Sequence, residues 1–191
     1  EHVRTAGNRI AGITLSDNTQ INAPIVVNAA GPHSEKINEL AGIAGSTKIT
    51  TRAVRHESVH LALPEDCDAK YDDVVTFDYD IGSYTRPDHA GSIFVGSQGT
   101  DFDQDQTVDP DDFDRNFTND AHEPVYRLAQ RIPTLGIPNQ LRGIVDLWDV
   151  TEDWIPVYDC SDLPGYYLAI GTSGNQFKAA PVVGGLMAEL I

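Results

Sequence analysis

The sequence predicts an α+β fold: a mixed to antiparallel sheet with accompanying helices, flanked in the chain by segments of a second, parallel-type layer. Three observations lead there. Strands alternating apolar and polar residues fill the middle of the chain, one run near residue 25 is apolar on both faces, and a glycine-rich turn joins a strand to the last helix.

Arg9 to Leu15 and Ile21 to Ala29 read as strands, since β-branched residues dominate both and Ser16-Asp17-Asn18 supplies a turn. Together they form a hairpin. Ile25 to Ala30 is apolar on both faces, the pattern of a strand covered on both sides, and ends at Gly31-Pro32. Ile37, Leu40, Ala41 and Ile43 then follow a helical period, with Gly42 and Gly45 as stop signals. From Ile49 to Leu63 alternation predicts a long strand, with Ala53, Val59, Leu61 and Leu63 on one face. Val74 to Tyr79, Ser83 to Arg86 and Ser92 to Gly96 are shorter strands of an antiparallel sheet. Asp109-Pro110 reads as the cap of a helix reaching Ile132, kinked near Pro124, with Val125, Leu128, Ala129 and Ile132 on one face. Arg142 to Val150 and Tyr166 to Gly171 are again strands. Asn175 to Ile191 is the final helix, with Val183, Leu186, Met187 and Leu190 as its apolar stripe.

Composition excludes some functions. Against 29 Asp plus Glu stand only 13 Lys plus Arg, a formal net charge of -16, which repels nucleic acid and an anionic bilayer surface. No run approaches the roughly 18 apolar residues of a membrane-spanning helix. Residues 1 to 8 do not resemble a secretory signal, so a cytoplasmic site is expected, with Cys67 and Cys160 as free thiols.

Two motifs suggest metals. His56-Glu57-Ser58-Val59-His60 matches H-E-x-x-H, whose zinc chemistry needs a helix to bring the two histidines within about 6 Å along the axis. The surroundings read as strand, where four residues span roughly 13 Å, so no zinc site is expected. Asp101, Asp103, Asp105, Thr107, Asp109 and Asp112 fall at calcium-loop spacing, but Gln106 stands where the turn needs glycine. A solvated acidic loop accounts for them.

Gly171-Thr-Ser-Gly-Asn-Gln-Phe-Lys-Ala-Ala-Pro181 is the most informative segment. A strand runs into a glycine-rich turn and opens a helix, an arrangement expected to leave several N–H groups unpartnered and to attract an anion. Lys178 in the first turn opposes the helix dipole, which suggests a task such as pairing with a carboxylate.

Taken in order, Ile25 to Pro32, Tyr84-Thr-Arg-Pro87 leading to Ile93-Phe-Val-Gly96, Arg142-Gly143, Asp149 to Pro156, and Gly171 to Pro181 resemble the FAD-dependent oxidoreductases of the D-amino-acid oxidase superfamily. The sarcosine, dimethylglycine and glycine oxidase branch is the most similar. The resemblance implies that residues 1–45 are late strands and a helix of a Rossmann-like FAD-binding domain. Residues 46–140 would be the antiparallel substrate domain, and 141–191 the return to the FAD domain. It further implies cofactor contacts at Ala30, Gly31, Gly171, Ser173, Gly174, Asn175, Gln176 and Phe177. Lys178 would hold the substrate carboxylate as the catalytic-site residue, with Arg86 and Trp148 lining the substrate. No metal is implied.

The departures from the family pattern carry expectations of their own. Asn175 and Gln176 replace histidine and glycine, and His33 replaces tryptophan. Asp146 stands near the covalent-flavin cysteine, so no thioether is expected, and Phe94 replaces the lysine that promotes reaction with oxygen. No strand-G-x-G-x-x-G-helix run for the FAD pyrophosphate is present, so the chain is expected to be a C-terminal portion whose partner is the missing N-terminal half. An apolar face left where that half would pack, with homo-oligomerisation through it, is a further expectation. The implied activity is oxidation of a small amine-bearing carboxylate. A glycerol-3-phosphate or 2-hydroxy-acid dehydrogenase and a non-catalytic binding module are the alternatives.

Overall fold

The computed structural model describes residues 2–64, 66–67, 74–88, 91–98 and 106–191. These fall into two compact units, Glu1–Val54 with Thr107–Asp112 and Leu147–Ile191, and Arg55–Gln106 with Phe113–Asp146.

In the first unit β1 (His2–Thr5), β2 (Ile10–Thr14) and β3 (Gln20–Asn22) form an antiparallel sheet in that order. The turn between β2 and β3 is closed by Asp17, whose carboxylate accepts the Thr19 N–H, and by Asn18 in the left-handed region. The strand expected from Ile21 to Ala29 is in fact two. Pro24, which lacks an N–H, separates β3 from β4 (Val26–Asn28), and β4 joins a different sheet. That sheet has the order β11-β12-β4, with β11 (Val157–Cys160) antiparallel and β4 parallel to β12 (Tyr166–Ile170). The expected cover on both faces of β4 is also corrected, because Ile25 and Val27 remain exposed among the described residues.

Behind β4 a 3-10 turn, Gly31–His33, leads into α1 (Ser34–Leu40). Ile10, Ala41, Ile43, Leu163, Tyr166, Leu168 and Ile170 form the core of this unit, with Ile37 packed against it. Leu40 points outward instead, since the helix ends before Ala41. The last helix, α3 (Ala180–Leu190), begins later than expected, after a 3-10 turn over Phe177–Ala179, with Pro181 in its first turn where a missing N–H costs nothing. Met187 is buried and Val183 half-buried, whereas Leu186 and Leu190 of the expected stripe are exposed.

The second unit is built on a sheet of order β10-β5-β8-β7-β6, where β5 is Thr51–Ala62, β6 Thr76–Asp78, β7 Ser83–Asp88, β8 Ser92–Ser97 and β10 Gly143–Thr151. β9 (Gln106–Thr107) pairs with β5. β5 and β10 are the long strands whose residues are divided between the units. Val59, Leu61, Ile93 and Val95 pack with Val125 and Leu128 of α2 (Glu123–Ala129) into the core, joined by Ala129 and Ile132 as their period predicts. The helix expected from residue 110 starts only at 123. Asp109 closes a tight turn of its own by accepting the Asp111 N–H (3.0 Å), Thr118 is extended, and Pro124 occupies the helix's first turn rather than kinking its middle.

Candidate functional site

The first unit holds a site at the carboxyl ends of two parallel strands. β4 and β12 pair in the register Tyr166↔Val26, Tyr167↔Val27, Leu168↔Asn28. Ala30-Gly31 and the Gly171 turn, far apart in sequence, therefore leave the sheet side by side, the position where open α/β sheets bind ligands.

Each lip is held by a buried polar residue. Asn28, 2% exposed, donates through Nδ2 to Ser34 O (2.9 Å) and Asn38 Oδ1 (2.8 Å) and accepts the Ala30 N–H at Oδ1 (3.1 Å). Tyr166, fully buried, donates to the same Asn38 oxygen at 3.2 Å, and burial lifts its phenol to about 12, so it remains a neutral donor. On the other lip Asp149, also 2% exposed, accepts the Gly171 N–H at Oδ2 (2.5 Å) and the Ser173 N–H at its backbone carbonyl (2.7 Å). Burial raises the Asp149 carboxyl above the usual carboxylate range, against the opposing pull of the Gly171 amide. Three of the amides expected to be unpartnered have partners. Those of Gly171 and Ser173 turn back to Asp149, and that of Asn175 goes to Thr172 O.

The glycines differ in what they admit. A Cβ on Gly171 (φ +69) would stand 2.3 Å from Thr151 Cγ2, and one on Gly174 (φ +73) 2.7 Å from the Trp148 ring, so both are required by their own neighbours. Gly31 (φ +56) has nothing within 4 Å of that position, and its bare side is open to an approaching group. Trp148 thus packs on the glycine turn, with Trp154 edge-on to it at 6.0 Å. Gln176 accepts from Tyr158 OH (3.4 Å) and donates to Asn175 Oδ1. Phe177 is 97% exposed. Lys178 Nζ donates to Asn175 O at 2.8 Å and makes no ion pair among the described residues.

Beside this site Lys36 bridges Asp109 (2.6 Å) and Asp111 (2.5 Å), and His33 Nε2 lies 2.9 Å from Asp111. The lysine is raised and the two aspartates lowered by these contacts. Asp101, Asp103 and Asp105 of the calcium-like run lie outside the described residues.

Arg86 belongs to the second unit. Its guanidinium lies 4.6 Å from the Phe94 ring centroid on the sheet face opposite the core, where the His60 ring also packs against Phe94, tilted by 54°, and approaches Asp88 (3.1 Å). On the same face Tyr84 OH bonds Ser58 Oγ (2.8 Å) and His56 Nε2 (3.1 Å). H-E-x-x-H is therefore strand, as its surroundings predict, and Glu57 faces the other way, to Arg55 (2.8 Å) and Thr118. A separate shallow cleft of ≈ 390 Å³, lined by residues such as Arg115, Asn119, His122 and Gln140, involves none of the motif residues.

Sequence reasoning missed Asn28, Asn38, Asp149 and Tyr166. The available signal was polar residues inside apolar runs: Asn28 within Ile25 to Ala30, and Asp149 before Val150. The open Gly31 backbone, the bare Phe177 ring and the unpaired Lys178 cation fit a flat, partly anionic group such as a flavin.

Residues 1–190 match the family model described as FAD dependent oxidoreductase (DAO). FAD-dependent oxidoreductase domain-containing protein 1 of Bos taurus is 28% identical over 178 residues, 90% of this chain and 36% of that protein. Among solved structures, L-proline dehydrogenase from P. horikoshii superposes with a TM-score of 0.77 at 25% identity, over 100% of this chain and 48% of that one. Glycine oxidase from Bacillus cereus ATCC 14579 gives 0.71 at 16% identity, over 99% and 48%, a likeness of fold. The chain thus spans about half the length of these structures and about a third of the bovine relative. A match over nearly every residue places this chain in the FAD dependent oxidoreductase family, whose cofactor is FAD.

Proposed function

We propose that this chain is the C-terminal portion of an enzyme that oxidises a small amine-bearing carboxylate of the N-methyl or D-amino-acid type. The carrying observation is the convergence of Ala30-Gly31 and the Gly171 turn at the ends of parallel β4 and β12. Bound FAD would supply the acceptor for the hydride on the carbon next to nitrogen. The chain's own part is positioning. Ala30, Gly31, Gly171, Ser173, Gly174, Asn175, Gln176 and Phe177 form the cofactor lip, and Lys178 holds the substrate carboxylate. Lys178 suits that role because it makes no ion pair among the described residues of a strongly acidic chain. Arg86 and Trp148 line the substrate. The similarity to an L-proline dehydrogenase, named for an amine-bearing carboxylate, supports the substrate class.

In the complete enzyme Lys178→Ala should raise KM on the order of a hundredfold with a smaller effect on kcat, the loss of one charge-assisted contact of 2–3 kcal/mol or so. Unchanged kinetics would remove the assignment. A panel including 2-hydroxy acids and glycerol 3-phosphate separates the amine reading from its nearest rival, since a lysine binds either anion. Residues 1–191 alone are expected to show no turnover.

A further inference from the structure

We propose that Asp149 is a positioning residue of the cofactor site: it fixes the Gly171–Ser173 backbone from the buried side and places a negative charge behind that turn. The inference rests on the flavin site proposed above and adds a role for a residue outside its contact set.

The geometry comes first. One residue of β10 holds two amides of the turn, Gly171 N–H through Oδ2 (2.5 Å) and Ser173 N–H through its backbone oxygen (2.7 Å). Ser173 Oγ closes the same loop onto Gly171 O (3.1 Å). Gly171, Ser173 and Gly174 are all left-handed, at φ +69, +48 and +73, a run that the backbone does not adopt without external ties. Gly171 and Ser173 are buried and Gly174 is exposed, so the ties act from inside while the turn faces outward.

The chemistry is the second point. Asp149 makes no ion pair among the described residues, although an unpaired buried carboxylate is costly. Its Oδ1 and the hydroxyl of fully buried Ser34 both lack a well-formed hydrogen bond, though the Thr51 and Ser34 hydroxyls and the Thr172 amide stand near enough to favour the ionised form. Asparagine could accept the Gly171 N–H equally well, as Asn28 does for Ala30 on the other lip. A carboxylate here therefore points to a use for the charge. Electrons added to a cofactor seated on the turn would be opposed by it, which lowers the cofactor's reduction potential.

The test is Asp149→Asn in the complete, flavin-loaded protein, measured at mildly alkaline pH, which favours the ionised carboxyl. We expect an unchanged or raised unfolding midpoint of the apoprotein and a potential shifted upward. A tenfold change in the relative affinity for reduced over oxidised flavin corresponds to about 30 mV for a two-electron couple. Asp149→Ala, which removes the acceptor as well, should weaken flavin binding on the order of tenfold. Equal potentials in Asp149→Asn and wild type would overturn the role of the charge. Wild-type protein that binds no flavin would instead overturn the site reading itself.

Discussion

Gly96 lies directly beneath Tyr84, and this contact gives a clean test of how the polar face of the second unit is held. A Cβ at Gly96 would stand 2.4 Å from Tyr84 Cε1 and 2.6 Å from its hydroxyl, so Gly96→Ala must push the ring away. No left-handed backbone strain contributes, because Gly96 is not among the positive-φ residues. Displacement breaks the bonds to Ser58 (2.8 Å) and His56 (3.1 Å), each worth about 1 kcal/mol, and loses part of the ring's packing. The full loss is about 2–3 kcal/mol. Against it stands a gain of roughly 0.5–1 kcal/mol from replacing a strand glycine by alanine. Gly96→Ala should therefore lower stability by about 1–2.5 kcal/mol in the native background and be neutral or stabilising beside Tyr84→Ala. The four proteins of this cycle are compared by thermal unfolding, and the coupling should be about 2–3 kcal/mol. If Gly96→Ala costs the same with and without Tyr84, the ring is not pinned as described.

Two further outcomes follow from buried polar groups. Asn28→Leu leaves the Ala30 N–H without its acceptor and takes from the Asn38 oxygen one of its two donors, and should lower the unfolding free energy by about 2–3 kcal/mol while reducing flavin content, read by midpoint and visible spectrum. His56 is held near 4 by burial, below its ordinary 6.5, so the unfolded chain takes up its proton first as pH falls. The stability it contributes is complete above pH 6.5 and is lost between 6.5 and about 4, up to about 3 kcal/mol; wild type should lose stability faster than His56→Gln over that window, and parallel pH profiles would refute this.

What the sequence shows directly is local period. Alternation marks β5, because one of its faces packs on α2 and its neighbours, while Gly and Asp turn signals bound the shorter β7 and β8. It also disposes of H-E-x-x-H, since a period-two run cannot bring His56 and His60 to one ion. Period fails where another rule decides. Pro24 divides what reads as one strand, Asp109 closes a turn where a helix cap was expected, and β1 and β11, at four residues each, are too short to show a period. In α3 the stripe is real as a pattern, yet Leu186 and Leu190 are exposed, because periodicity names a face without naming what covers it. The site is the hardest case. Its residues lie at opposite ends of the chain, and only the parallel register of β4 on β12 unites them.

The two lips of the site also explain why their anchors differ chemically. Where β4 ends, the backbone offers both kinds of group: the Ala30 N–H needs an acceptor and the Ser34 carbonyl needs a donor. A carboxamide serves both, and Asn28 does so at once. Where β12 ends, Asp149 meets amide donors, and its carboxyl and carbonyl oxygens accept them. Neither turn could be tied by apolar packing, because a left-handed backbone directs its polar groups away from the sheet ladder, and burying them unpaired is costly. The inward amides are thus consumed by the protein itself. On the outer side the protein leaves the open Gly31 backbone, the exposed Phe177 ring and Lys178, the groups that a cofactor would meet under the reading proposed above.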